Sequence, residues 1–134
     1  MSENVDASAE AQASLAAEPQ SVARARALLS GVLDGVGVEG EPRSEALLVA
    51  SELVTNAIRH GSRRGDVIGV DFTICGGRLC ICVQDAARGD AVPLARTADE
   101  QRPAGRGLNI VERFAQWSER VVDGKREVRA EMRL

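Results

Sequence analysis

The chain has 134 residues, the size of one ordinary domain, and 44% of them are hydrophobic, enough for a packed core. Aromatic residues make up only 2%, so the core must be built from Leu, Val, Ile and Ala. A net charge of −3 gives no electrostatic footprint for nucleic acid, and no apolar run approaches the ~18 residues of a membrane span.

The acidic N-terminus has no n-region or h-region, so it does not read as a signal peptide. Cys75, Cys80 and Cys82 are the three cysteines. An odd number without a secretory signal fits a reducing cytoplasm. A C-x-C pair with one further Cys and a distant His is a poor zinc set, and the thiols read as small strand residues.

Residues 1–12 are Ala, Ser, Glu and Asp with little to bury, and read as a disordered tail ahead of one domain over 13–134. Ala13 to Ala16 is a candidate short edge strand. Pro19 and Ser21 open a helix whose apolar positions Val22, Ala25, Leu28, Leu29 and Val32 recur at helical spacing. Gly35-Val-Gly37 ends it. A second helix runs from about Pro42 to His60, with Gly61 as its stop in the C′ position.

Val67 to Val83 reads as a β-hairpin about a Gly76-Gly77 turn. That turn pairs Ile74 with Leu79, Phe72 with Ile81 and Val70 with Val83, all on one side. Cys80 and Cys82 fall on the other side, opposite Thr73 and Asp71. Gln84 to Pro103 has no clear period, and so long a span inside a compact domain is more often functional than idle. A helix follows from about Leu108 to Trp117. Val121 and Val122, an Asp123-Gly124 turn, and Val128, Ala130, Met132 and Leu134 make a second hairpin. Glu127, Arg129, Glu131 and Arg133 fill its outer face. One charged sheet face requires helices on the other face only, which predicts a two-layer α+β sandwich with a mixed, mainly antiparallel sheet.

Three stretches carry candidate chemistry. On the second helix, Glu52, Asn56 and Arg59 fall within roughly 60° of one another. Val54, Leu47 and Ile58 lie opposite, and Leu48 and Val49 flank the stripe. Such a stripe suits a ligand pocket or a solvated edge. Glu52 could take a proton from a hydroxyl, and Asn56 could bind Mg2+ as a neutral oxygen ligand. Asp85, at the end of a buried strand, either caps a turn or accepts a hydrogen bond from a ligand amine. Gly105-Arg106-Gly107 opens a helix, as an ordinary turn or as a phosphate cradle. A Walker A pattern is absent, and no nucleophile stands beside His60, the only histidine.

In this order, E-x-x-x-N-A-x-R-H, a strand-ending Asp, a variable span and G-R-G-L resemble the ATP-binding superfamily of gyrase, MutL and sensor histidine kinases, the Bergerat fold. Ser51 to His60 and Gly105 to Val111 look like its anti-sigma-factor serine kinase branch. The resemblance covers roughly residues 13–134. It implies that Asn56 binds Mg2+, that Glu52 activates the attacking hydroxyl and that Arg59 stands near the phosphates. It implies that Asp85 receives the adenine amino group. Gly89 and then Gly105, Arg106, Gly107 and Leu108 match the glycine boxes, with 88–104 as the ATP lid.

Two departures stand out. The first glycine box usually reads D-x-G-x-G, whereas this chain has Asp85-Ala86-Ala87-Arg88-Gly89, whose Cβ atoms narrow approach to the base. The last hairpin has no threonine near the adenine: it reads Lys125-Arg-Glu-Val128. The implied function is a cytoplasmic MgATP-dependent kinase. It would phosphorylate a serine or threonine of an anti-sigma antagonist and hold a sigma factor by partner switching, as a homodimer. The alternative is a module of the same fold that sequesters a partner with little or no turnover.

Overall fold

The computed structural model describes residues 7–88 and 105–134, with side chains described from residue 109 onward in the second segment. Eight elements follow in order: β1 (Ser8–Ala16), α1 (Ser21–Gly35), α2 (Gly40–His60), β2 (Val67–Cys75), β3 (Arg78–Asp85), α3 (Gly105–Phe114), β4 (Gln116–Val122) and β5 (Lys125–Arg133). The five strands form one sheet in the order β1-β2-β3-β5-β4. Among the described residues every pairing is antiparallel, so the expected mixed, mainly antiparallel sheet is corrected to an antiparallel one there.

Alternation dictates the two layers. Ile68, Val70, Phe72 and Ile74 of β2 are buried, as are Leu79, Ile81 and Val83 of β3 and Val128, Ala130 and Met132 of β5. They meet Ala25, Leu29, Val32 and Leu33 of α1, the buried arc of α2 and Val111 of α3. With so few aromatics, Phe72 is the largest fully buried side chain. Each fully buried Leu, Ile or Val contributes about 2 kcal/mol of transfer free energy. This is the expected two-layer α+β sandwich.

The central hairpin has the predicted register, with Ile74 opposite Leu79, Phe72 opposite Ile81 and Val70 opposite Val83. Its turn residues Gly76 and Gly77 have φ of 59° and 75°, the left-handed pair that a tight hairpin requires. Asp123 and Gly124 repeat that geometry at the second hairpin, with φ of 52° and 79°.

Four expectations are corrected. Strand β1 begins at Ser8, so residues 8–12 belong to the sheet; Ala9, Ala11, Ala13 and Leu15 turn inward against the core. Residues 1–6 of the expected tail lie outside the described residues. Helix α3 ends at Phe114, and Trp117 belongs to β4. Glu127 shares the outer face of β5 but is only 8% exposed, because Gln84 and Arg120 cover it. Gly61 ends α2 in the right-handed region at φ −106°, so it is not a left-handed C′ stop.

Candidate functional site

Helix α2 is positioned by its buried arc of Ala46, Val49, Ala50, Leu53, Val54 and Ala57. This arc is turned about 120° from the predicted Glu52–Asn56–Arg59 stripe, at 100° per residue. The stripe therefore runs along the rim of the helix, between core and solvent. Glu52 and Asn56 are half-buried, Arg59 and Leu48 are exposed, and Leu47 and Ile58 are half-buried. Among the described residues, neither the Glu52 carboxylate nor the Asn56 amide makes a hydrogen bond. On the far side of α2, Arg26 of α1 donates to the Ser51 hydroxyl and the Leu47 carbonyl, which fixes the rotation of the helix.

The end of β3 meets the end of α2. A Cβ built on Gly61 would overlap the carboxylate of Asp85, so a glycine is needed here for space and not for handedness. Gly61 and Asp85 are both buried. Asp85 ends the inward row Leu79, Ile81, Val83, and the sheet register sets it opposite Arg126. The Arg126 guanidinium donates from Nε at 3.0 Å and from Nη2 at 2.8 Å to Oδ2 of Asp85. The two side chains are 5% and 1% exposed.

The loop leaving β3 is tightly held. The Ala87 amide donates to Oδ1 of Asp85 at 2.8 Å, closing an Asx turn. Ala87 adopts φ 53°, a glycine-like conformation kept at the position where glycine is missing. The Arg88 amide donates to the Gly61 carbonyl at 3.1 Å. Its guanidinium grips Asp66 through Nε at 3.0 Å and Nη2 at 2.9 Å. Hydrogen bonding by Arg88, then by the Arg63 amide, holds the Asp66 carboxyl below its usual range.

Asp85, Gly61, Ala87 and Arg88 thus converge where α2 ends, on the same helix that carries Glu52 and Asn56. Gly89 and the rest of the expected lid to residue 104 lie outside the described residues. Gly105, Arg106, Gly107 and Leu108 form the first turn of α3 in backbone; their side chains lie outside the described part. The sequence reading missed Arg126. Continuing the inward row Met132, Ala130, Val128 by one more step would have found it.

A polar recess of about 570 Å3 lies on the opposite sheet face, between residues such as Asp71, Thr73, Cys82 and Arg129. It shares no residue with the rim of α2. Among the described residues no helix is long and apolar enough to cross a membrane.

An antiparallel sheet with helices on one face is the two-layer fold that the sequence resemblance implied. The chain belongs to the histidine kinase-like ATPase domain family, whose sequence model matches residues 15–132. A search of curated proteins gave no match. Among solved structures, the chain is similar to the RsbU and RsbW domains of Rv1364c from Mycobacterium tuberculosis, with a TM-score of 0.70 at 21% identity. That match covers 94% of this chain and 32% of the other, so this chain spans about a third of its length. At this identity the likeness establishes the fold.

Proposed function

We propose that the chain is an anti-sigma-type regulatory kinase of the cytoplasm. It binds MgATP at the rim of α2, phosphorylates a serine or threonine of an anti-sigma antagonist and holds a sigma factor when the antagonist is modified. A homodimer belongs to the same reading. The observation that carries it is the pair Glu52 and Asn56, one turn apart, half-buried and free of hydrogen bonds to the described residues, on the helix that ends against Asp85.

The donor set fits Mg2+. That ion keeps several waters and takes few protein ligands when phosphate is present, so one neutral amide from Asn56 suffices. Mg2+ when bound neutralises phosphate charge. Glu52 accepts the proton of the attacking hydroxyl as its oxygen bonds to the γ-phosphorus; the bond to the bridging oxygen breaks and ADP leaves. Arg59, with Arg106 and the lid backbone, offsets charge on the transferring group. The added phosphate then weakens the antagonist's contact with the domain.

The base side fits less well, because the Asp85 carboxylate is already engaged by Arg126 and by Ala87. That contact favours a second reading: a module that sequesters its partner with little or no turnover. A titration with MgATP of the wild type and Asn56→Ala separates them. It is followed by γ-phosphate transfer to proteins that co-purify with the chain. Transfer lost in Asn56→Ala and in Glu52→Gln supports the kinase. Tight MgATP binding with no transfer leaves sequestration, and absence of nucleotide binding removes ATP from both readings.

A further inference from the structure

Strands β3 and β5 place one buried ion pair at the end of the inward-facing rows. It joins Asp85 and Arg126, next to Val83 and Val128 on the same inward rows. A carboxylate offers about four acceptor sites. On Asp85, three donors fill most of that capacity: Nε and Nη2 of Arg126 and the amide of Ala87. Under the nucleotide-site reading above, Asp85 is the residue that receives the exocyclic amine of the base. An amine and a guanidinium are both donors, so they compete for the same oxygens. Arg126 cannot withdraw by losing its proton, because guanidinium stays charged at every accessible pH. The loop beside the pair is held shut as well, by the Arg88 amide on Gly61 and the Arg88 guanidinium on Asp66.

We infer that Arg126 is an internal gate on the base-recognition carboxylate: the domain folds with Oδ2 of Asp85 filled by the guanidinium and one site of Oδ1 filled by Ala87, and an aminopurine gains the full carboxylate by displacing the guanidinium from Oδ2. This inference rests on the nucleotide-site reading and adds its regulation. The gate has a chemical signature. With Arg126 seated on Asp85, Oδ2 is unavailable as an acceptor, and the preference for the 6-amino group of ATP over the 6-keto oxygen of ITP is weakened. With Arg126 removed, Asp85 is a free acceptor, and a site that hydrogen-bonds an amine discriminates strongly against its absence.

The test is isothermal titration of the full chain with MgATP and MgITP, for the wild type, Arg126→Thr and Arg126→Gln. Circular dichroism and a melting curve establish that each variant is folded. The gate predicts a wild-type ATP-to-ITP affinity ratio within about threefold of unity. In Arg126→Thr the affinity for ATP rises at least tenfold and the ratio exceeds ten; Arg126→Gln, which keeps a neutral donor, falls between. If the wild type already prefers ATP more than tenfold, and neither variant binds ATP more tightly, the gate is wrong while the nucleotide site stands. If folded wild type and variants all ignore both nucleotides, the gate and the nucleotide site fall together. Should Arg126→Thr fail to fold, Arg126→Gln and the wild-type ratio still decide the matter.

Discussion

The carboxylate of Asp85 occupies the space that a Cβ on Gly61 would need. The last residue of β3 is thereby locked to the last turn of α2, whose rim carries Glu52 and Asn56. The backbone of Gly61 is ordinary, at φ −106°, so any L residue could adopt it; only the side chain is excluded. Gly61→Ala is therefore expected to lose about 1–3 kcal/mol, the usual range for forcing atoms into a filled site. The urea midpoint measures this. Gly69→Ala is the control, since its Cβ would meet the Gln84 side chain at a normal 3.6 Å. In a strand interior that control should be neutral or stabilising by about 0.5 kcal/mol. Equal stability of Gly61→Ala and wild type would mean that Asp85 does not pack there.

Ala87 presents the opposite case, a residue with a free side chain and a costly backbone. At φ 53° it pays a left-handed penalty of about 1 kcal/mol, less the greater unfolded-state freedom of glycine. Ala87→Gly, which restores the first glycine of the box, should be between neutral and about 1 kcal/mol more stable. Chemical denaturation reads the difference. A clear loss of stability would show that Ala87 does not take the glycine-like conformation.

What was legible in the sequence divides along physical lines. The Val67–Val83 hairpin was readable because Ile, Val and Phe alternate sharply with polar residues about a Gly-Gly turn, which fixes register. Strand β1 was largely missed because its inward residues Ala9, Ala11 and Ala13 are small and carry little strand preference. Composition made that stretch look like a tail. The Glu52–Asn56–Arg59 stripe shares one side of α2, but its rotation relative to the core was not legible, since packing against α1, α3 and β3 decides which arc of a helix is buried. Asp85 was found from its position at a strand end, whereas its partner across the sheet was not. Local patterns give the faces of a strand, and pairing of Asp85 with Arg126 depends on a register between strands some forty residues apart. Nothing local signalled that Gly61 makes room for a carboxylate.

Glu127 gives the protein a predictable acid response. Hydrogen bonds from Gln84, the larger cause, and from Arg120 hold its carboxyl below the usual range. A depressed folded pKa contributes stability that is full above the unfolded value, near 4.5, and is lost as pH falls through the folded value. Glu127→Gln should cost about 1 kcal/mol at pH 7. The gap to wild type should close as pH drops below 4.5. Urea unfolding at pH 7 and at low pH measures it. A gap that persists at low pH would assign the effect to shape and not to charge.

The cysteines give the matching alkaline response. Cys80 and Cys82 stand half-buried on the outer sheet face, whereas Cys75 is exposed. Burial, ahead of the charge of Glu127, pushes the Cys82 thiol up to about 11, and burial also raises Cys80. The thiolate is the reacting species, so at pH 8 Cys82 holds only about one part in a thousand in that form. Iodoacetamide at pH 8 should therefore modify Cys75 first and Cys82 last, and denaturant should equalise the three; peptide mass mapping reads the order. The linkage runs opposite to that of Glu127. A raised folded pKa contributes stability that is full below the unfolded value of 9.0 and is lost as pH climbs toward about 11. Cys82→Ala should flatten the decline between those two values, and an unchanged slope in that variant would place the alkaline sensitivity elsewhere in the chain.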